Sequence, residues 1–432
     1  MPRPQLAQFM QRMEPNSVAI LPGARETTRS NDTEYRYRQD SDFYYLTGFN
    51  EPDSIAVIAP GRASGSYTLF VRPRDPEKET WTGRRSGVEG AKEKHGADEA
   101  FAVEEFPEKL LDLIGGAQQL YYRIGSGNPD LDDTVVRQIS RMRMMGRRGI
   151  SAPRAIIDPG AIIHEMRLFK TEDEIALMQR AADIAAEAHA EAMKFARPGM
   201  KEYEVEALIE YHFRKNGAAA PAYSSIVGGG ANATVLHYIN NDATLREGDL
   251  LLVDAGAEYE GYASDITRTF PIGGRFTQPQ REIYELVLEA QTVCTEMIRP
   301  GVTMEEMHTR SVEILTEGMV RLGLLEGDPA KLIEEEKYKK FYMHRLGHYL
   351  GMDVHDVGRY HDDSGPRAVA AGIVMTVEPG LYISEDAADV PDKYRGIGIR
   401  IEDDVLVTPD GYRVLTDKAP KQIEEIEELT AR

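Results

Sequence analysis

Four carboxylates and one imidazole stand out as residues that could do chemistry together. Asp254 closes the apolar run Leu250-Leu251-Leu252-Val253, and Glu378 closes a second run, Ile373-Val374-Met375-Thr376-Val377. Asp265 and Glu402 each lie further along, in or beside strand-like sequence. His348 belongs to the segment Met343 to Asp356, which also carries His344 and His355. A carboxylate next to an apolar strand is costly unless it is paired, protonated or bound to metal. This donor set suits hard-to-borderline divalent ions such as manganese, cobalt or zinc. Four carboxylates exceed what one small catalytic ion needs, but they suit two ions that share bridging ligands. Two such ions about 3.5–4 Å apart can activate water and polarise a carbonyl. The single cysteine, Cys294, excludes a thiolate zinc site, and its spacing of histidines is not that of an HExxH helix.

Each residue also has an ordinary reading. Glu402 beside Arg400 on a strand fits a surface ion pair. His237, in Val235-Leu236-His237-Tyr238, fits a packed core histidine as well as a catalyst. The convergence of the set gives the metal reading its weight.

These residues need a frame. Glycine 248 and glycine 372 each precede an acid by six residues, and each acid precedes another glycine by two. The triplet Arg197-Pro198-Gly199 recurs as Arg299-Pro300-Gly301, each time between helical stretches. A duplicated α/β unit follows, with Asp254 and Glu378 as pseudo-symmetry mates facing one centre. The turn at Glu258-Tyr259-Glu260-Gly261 predicts a hairpin-like return through Ala263 to Phe270, bringing Asp265 back near Asp254. Alternation along that return puts the Thr267 hydroxyl on the side of Asp265, where it could orient the carboxylate. A continuous strand over Gly398 to Val407 would place Arg400 beside Glu402. Thr171 and Glu174 form a capping box that opens a long helix with Ile175, Met178, Ala182 and Ala185 on one face.

The chain of 432 residues is long enough for two domains, set here at 1–165 and 166–432. In the first, the pattern predicts a helix over Gln5 to Met13 and strands at Ser17–Leu21, Phe43–Phe49, Ser54–Ala59, Tyr67–Arg72 and Gln119–Ile124. Helices are predicted at Pro107–Ile114 and Leu131–Met145, giving a sheet flanked by helices. No glycine-rich phosphate loop precedes a helix, which leaves a nucleotide fold without support. The net charge of −21 disfavours a nucleic-acid partner. No run is apolar enough for a membrane span, and the N-terminus lacks a signal-peptide pattern, so a cytoplasmic protein is expected.

The segment His344-Arg345-Leu346-Gly347-His348-Tyr349-Leu350-Gly351-Met352-Asp353-Val354-His355-Asp356 resembles the signature of the proline-specific metallopeptidases. The ordered set Asp254, Asp265, His348, Glu378, Glu402 is similar to the dinuclear centre of the pita-bread fold. Arg29-Ser30-Asn31-Asp32, Ser41 to Pro52 and Trp81-Thr82-Gly83-Arg84-Arg85 look like the N-terminal domain of the bacterial aminopeptidase P family. The resemblance implies an α/β (α+β) architecture: a C-terminal pita-bread domain with pseudo-two-fold duplication, preceded by a smaller N-terminal α/β domain with a mixed sheet. It implies release of the N-terminal residue from peptides with proline second, by attack of a dinuclear-metal-bound hydroxide on the X-Pro carbonyl. Two divalent ions, preferably manganese, are implied. Asp254 would bind one, His348 and Glu378 the other, with Asp265 and Glu402 bridging. Glu378 would also shuttle a proton, His237 and His355 would hold the substrate, His344 would line the proline pocket, and Arg400 would hold a bridging carboxylate. A homotetramer, or a dimer, is implied, with Asp32 and Trp81 near neighbouring sites. An X-Pro bond has no N–H, so a site that polarises the carbonyl and holds the ring suits it.

Two alternatives remain at this stage. A prolidase would use the same ligands on X-Pro dipeptides, and an inactive pita-bread module would bind peptides without cleaving them. Methionine aminopeptidase fits less well, because it needs no domain like residues 1–165.

Overall fold

The structure is a computed structural model. It describes residues 3–431, and every count of elements is of these residues. The chain divides into two compact units, Met1–Met166 and Arg167–Arg432.

The first unit is built on a six-stranded mixed sheet. Its order runs Glu99–Ala102, Tyr67–Val71, Ile55–Ile58, Ser17–Pro22, Gln119–Tyr121, Ala155–Ile157. The central pairs, Ser17–Pro22 with Ile55–Ile58 and Ile55–Ile58 with Tyr67–Val71, are antiparallel, and the outer ones are parallel. Phe106–Ile114 and Pro129–Met144 bury Phe106, Leu110, Val135 and Ile139 against Val18, Ile20 and Leu120. One expected strand is wrong. Ser41–Thr47 is a helix, because the Asp40 carboxylate caps the Phe43 N–H (2.8 Å) and Gly48 closes it at φ 64°. Only glycine adopts that left-handed closure without steric cost. The aromatic run is helical because its two flanking residues are a start and a stop signal.

The second unit repeats one plan twice. In the first copy the helices Glu172–Phe195 and Glu202–Lys215 precede the strand Leu250–Asp254. The predicted capping box opens the first of them, with Thr171 N–H donating to Glu174 Oε2 at 2.8 Å. A hairpin of Ala257–Tyr259 with Tyr262–Ala263 follows, and Thr267–Pro271 returns antiparallel to Leu250–Asp254. In the second copy the helices Gln278–Glu296 and Met304–Arg321 precede Val374–Val377. A hairpin of Gly380–Ile383 with Ile397–Arg400 follows, and Asp403–Thr408 returns antiparallel to Val374–Val377. Asp254 ends its strand and Glu378 follows its own, so the two acids occupy equivalent places. The helices bury Ile184, Val205, Phe213, Ile283 and Val287 with Leu251, Val253, Phe270 and Ile399 in one core.

Two runs read as single strands are each broken. Ser264–Ile266 leave the ladder before Thr267, and residues 401–402 leave it between Arg400 and Asp403. Asp265 and Glu402 sit in those breaks, where the backbone is free to turn its carboxylates out of the pleat. The Glu402 N–H donates to Thr267 O at 3.1 Å, and the Asp265 N–H donates to Asp404 Oδ2 at 3.0 Å. The breaks are thus stitched to each other across the duplication.

Candidate metal centre

A cavity of about 1040 Å³ in the second unit gathers Asp254, Asp265, His348, Glu378 and Glu402 on its wall. His237, His344, His355 and Arg400 line it as well. One candidate ligand atom each from Asp265, His348 and Glu402 lie within 4.8 Å of one another. His348 Nε2 stands 3.5 Å from Asp265 Oδ2 and 3.5 Å from Glu378 Oε1. Its Nδ1 faces the Tyr349 carbonyl at 3.0 Å, so Nδ1 carries the hydrogen and Nε2 is the nitrogen left for a cation. Gly347 makes this approach possible. A Cβ there would lie 2.1 Å from Thr376 O, while His348 N–H reaches Thr376 Oγ1 at 3.0 Å.

The remaining partners fix the carboxylates. Asp254 accepts from the Tyr223 hydroxyl (2.6 Å) and from Arg400 Nη2 (2.5 Å). The same Tyr223 hydroxyl also faces Asp265 Oδ1, so one proton lies between two carboxylates. Thr267 Oγ1 accepts from Arg400 Nε (3.0 Å) and donates to Glu402 Oε2 (2.6 Å). Thr267 therefore orients Glu402 rather than the expected Asp265. Arg400 forms its ion pair with Asp254, and its hydrogen bonding reaches Glu402 by way of Thr267. A continuous strand would carry Arg400 and Glu402 side by side, and the break at 401–402 removes that geometry.

Burial and crowding of like charges set the electrostatics. Burial and then the neighbouring carboxylates raise Glu402 well above the ordinary range. Burial also raises Asp254, against the pull of Arg400, and lifts Glu378 to about 7, against the pull of His348 and Arg400. Burial lowers the affinity of His348 for a proton, but Asp265 and Glu378 outweigh it and raise the group to about 9. Crowded acids beside an imidazole that prefers to be charged are a site short of positive charge, and divalent cations fit that deficit. Ligands must lose their protons to bind metal. Glu378 and His348 both hold protons below about pH 7, and between about 7 and 9 His348 alone of the two does. Titration of the protein with a divalent cation, by calorimetry in buffers of different ionisation enthalpy, is expected to release more protons at pH 6 than at pH 8. Apparent affinity should rise with pH across that window. Equal release at both values would contradict the centre.

The histidines divide by environment. His344 Nδ1 faces the Arg345 carbonyl at 2.7 Å, so Nε2 accepts from the Tyr382 hydroxyl at 2.8 Å. Burial, and next Arg400, lower it to about 4, which leaves a neutral ring with both nitrogens engaged. It offers a ring surface rather than a free donor. His355 packs edge-on to His348 with ring centroids 4.3 Å apart. His237 lies exposed in a turn on the cavity wall, not in a core strand. Asp32 is exposed at the tip of the Thr28–Ser30 and Thr33–Glu34 hairpin, and Trp81 is 88% exposed on the Pro76–Thr82 helix. Both belong to the first unit.

Tyr223, Tyr382 and Thr376 went unremarked in the sequence. Tyr382 donates to His344 and accepts from Arg400 Nη1 at 2.9 Å. The strand alternation after Glu378-Pro379-Gly380 could have pointed to Tyr382. Tyr223 lies in an irregular stretch with no such signal.

Comparison with known proteins places these residues in context. Residues 176–409 match the model of metallopeptidase family M24, and residues 4–121 match the aminopeptidase P N-terminal domain. The chain is 46% identical to the Xaa-Pro aminopeptidase of Escherichia coli over 98% of its own length and 95% of the relative's. Its structure is similar to that of Pseudomonas aeruginosa aminopeptidase PepP, with a TM-score of 0.97 and 50% identity, covering 99% of this chain and 96% of that one. It is also similar to zinc-substituted E. coli aminopeptidase P in complex with product. There the TM-score is 0.95 with 46% identity, covering 99% and 97% of the two chains. The fold is the pita-bread fold of that enzyme.

Proposed function

The chain belongs to metallopeptidase family M24, and on that premise we propose that it releases the N-terminal residue from peptides whose second residue is proline. The observation that carries this reading is the convergence of Asp254, Asp265, His348, Glu378 and Glu402 on one cavity wall. The similarity to Xaa-Pro aminopeptidases over nearly the whole of both chains supports the substrate class.

When bound, two divalent ions supply an activated water and a Lewis acid for the scissile carbonyl. Asp254 would hold one ion and His348 and Glu378 the other, with Asp265 and Glu402 serving both. Manganese is proposed, and the oxygen-rich donor set with one imidazole supports manganese, cobalt or zinc alike. Glu378 takes the proton from the attacking water on a carboxylate oxygen and passes it to the leaving proline nitrogen. Its raised proton affinity supports that role. His237 and His355, both on the cavity wall, hold the substrate carbonyl region, and the neutral His344 ring lines the proline pocket. Arg400 holds Asp254 directly and Glu402 by way of Thr267.

A neutral His344 ring beside an amide that has no N–H supports the acceptance of proline. A homotetramer, or a dimer, is the proposed assembly, and the near-complete exposure of Trp81 in the single chain supports a contact surface there. Its partners are peptides, and the charge of −21 argues against nucleic acid. No helix among the described residues is long and apolar enough to cross a membrane, and a cytoplasmic location is proposed.

Manganese-loaded protein is expected to cleave Arg-Pro-Pro between its first two residues faster than it cleaves an X-Pro dipeptide, as read by product chromatography. Rapid dipeptide hydrolysis with an inert tripeptide would make it a prolidase instead. No cleavage of either, with no cation retained, would make it a binding module.

A further inference from the structure

Directly behind the cavity wall lies a second polar layer that the proposed reaction does not use. Arg268 follows Thr267 and is wholly buried. All of its N–H groups find acceptors. Nε donates to Pro420 O at 3.0 Å, and Nη1 donates to both Thr267 O (2.9 Å) and Glu402 O (2.5 Å). Nη2 donates to Asp403 Oδ1 (2.7 Å) and Ala419 O (3.0 Å). Asp403 follows Glu402 and is equally buried. Its Oδ1 also accepts from the Thr416 hydroxyl (2.7 Å), and its Oδ2 accepts from Gln291 (2.9 Å) and Lys421 (2.6 Å).

A buried ion pair of this kind is a poor choice if stability is the only need, because apolar side chains of similar volume serve as well or better. What the pair does supply is geometry. Asp265 and Glu402 come from opposite halves of the duplication and sit in irregular breaks of their strands. A single guanidinium nitrogen, Arg268 Nη1, ties the carbonyl of Thr267, the residue just after one break, to that of Glu402 in the other. Its other face holds the side chain of the residue after Glu402. A planar fork with five fixed donors can do this, and the point charge of lysine cannot.

We propose that the Arg268–Asp403 pair is the positioning element of the metal centre, setting the separation of the Asp265 and Glu402 carboxylates through the backbones on which they ride. The proposal rests on the reading of Asp265 and Glu402 as shared ligands. It also makes residues 416–421, which supply Thr416, Ala419, Pro420 and Lys421, part of the support for the centre.

The test is Arg268→Lys, which keeps the charge and loses the fork. Metal-free circular dichroism and thermal melting first establish that it folds. Calorimetric titration with manganese then reads affinity, and kinetics on an X-Pro tripeptide at saturating manganese read kcat and KM. Loss of an orienting partner of a ligand costs about 10–100-fold in metal affinity. That weakening is expected here, with kcat falling by about tenfold or more and KM nearly unchanged, because ligand misplacement acts on the reacting geometry. Val205→Ala, in the core face of the Glu202–Lys215 helix, none of whose residues lines the cavity, is expected to lower the melting temperature without weakening manganese. Asp403→Asn, nearly the same shape, repeats the test should the lysine variant not fold. A folded Arg268→Lys with wild-type affinity and kcat, a change in KM alone, or equal weakening in Val205→Ala would overturn the proposal. Failure of the wild-type protein to bind manganese would instead overturn the reading of the site itself.

Discussion

Asp265→Ala will give a folded protein that retains neither its divalent cations nor its turnover. Asp265 offers an oxygen 3.5 Å from His348 Nε2, as close as that of Glu378, and belongs to the group of three whose ligand atoms lie within 4.8 Å. Alanine leaves His348 and Glu402 without the carboxylate that both ions are proposed to share. The expected fall in kcat/KM is at least about a thousandfold, or about 4 kcal/mol of transition-state stabilisation. The metal-free fold should not suffer. Asp265 is one of the charges that raise the proton affinities of Asp254, Glu378 and Glu402, so its removal relieves repulsion among them. The melting temperature without metal should therefore hold or rise. The increase that manganese produces in the wild-type protein, by binding only the folded state, should vanish. Elemental analysis after desalting, melting curves with and without manganese, and peptide assays give the three readouts. Wild-type cation content with normal turnover would remove Asp265 from the centre.

The acids that converge on the cavity wall are legible in the sequence for a physical reason. An acid at the end of an apolar run has few ways to exist, so Asp254 and Glu378 announced themselves. The two glycines bracketing each of them exposed the duplication. His348 stood out through the histidines around it. What could not be read depends on register between distant strands. Arg400 pairs with Asp254 because the strand pairing breaks at 401–402, and nothing local in Gly398 to Val407 signals a break. Thr267 serves Glu402 across the duplication for the same reason. Arg268 and Asp403 pair across 135 positions of sequence, and nothing local to either residue signals the other. The aromatic content of Ser41–Thr47 reads as a strand, whereas Asp40 and Gly48 decide the conformation in favour of a helix. Local chemistry is thus legible where a residue has no cheap alternative. It is not legible where the partner is chosen by tertiary pairing.

Glu378→Gln should separate chemistry from cation retention more cleanly than any other change at this site. Glutamine keeps the volume and one oxygen, and it removes the negative charge and the capacity to accept a proton. Thr376 Oγ1 lies 3.4 Å from Glu378 Oε1 and can still meet the amide oxygen. Asp254, Asp265, His348 and Glu402 remain, so cations should still be retained, with weaker affinity on the His348 side. Peptide binding is proposed to rest on His237, His344 and His355 of the cavity wall, so KM should change only a few-fold. The loss should fall on kcat, by about a thousandfold or more, since proton transfer and ligation at one oxygen pair are both removed. The pH profile adds an independent readout. Glu378 must be deprotonated to accept a proton, and burial raises it to about 7 in the metal-free protein. A bound cation favours the charged form and moves that value down. The acid limb of wild-type kcat should therefore lie at or below about pH 7, with activity lost as pH falls through it. In Glu378→Gln the residual kcat should lack that limb. A variant that keeps the acid limb and loses activity only through KM would assign the proton transfer to another residue, with His355 the nearest imidazole to His348 on the cavity wall.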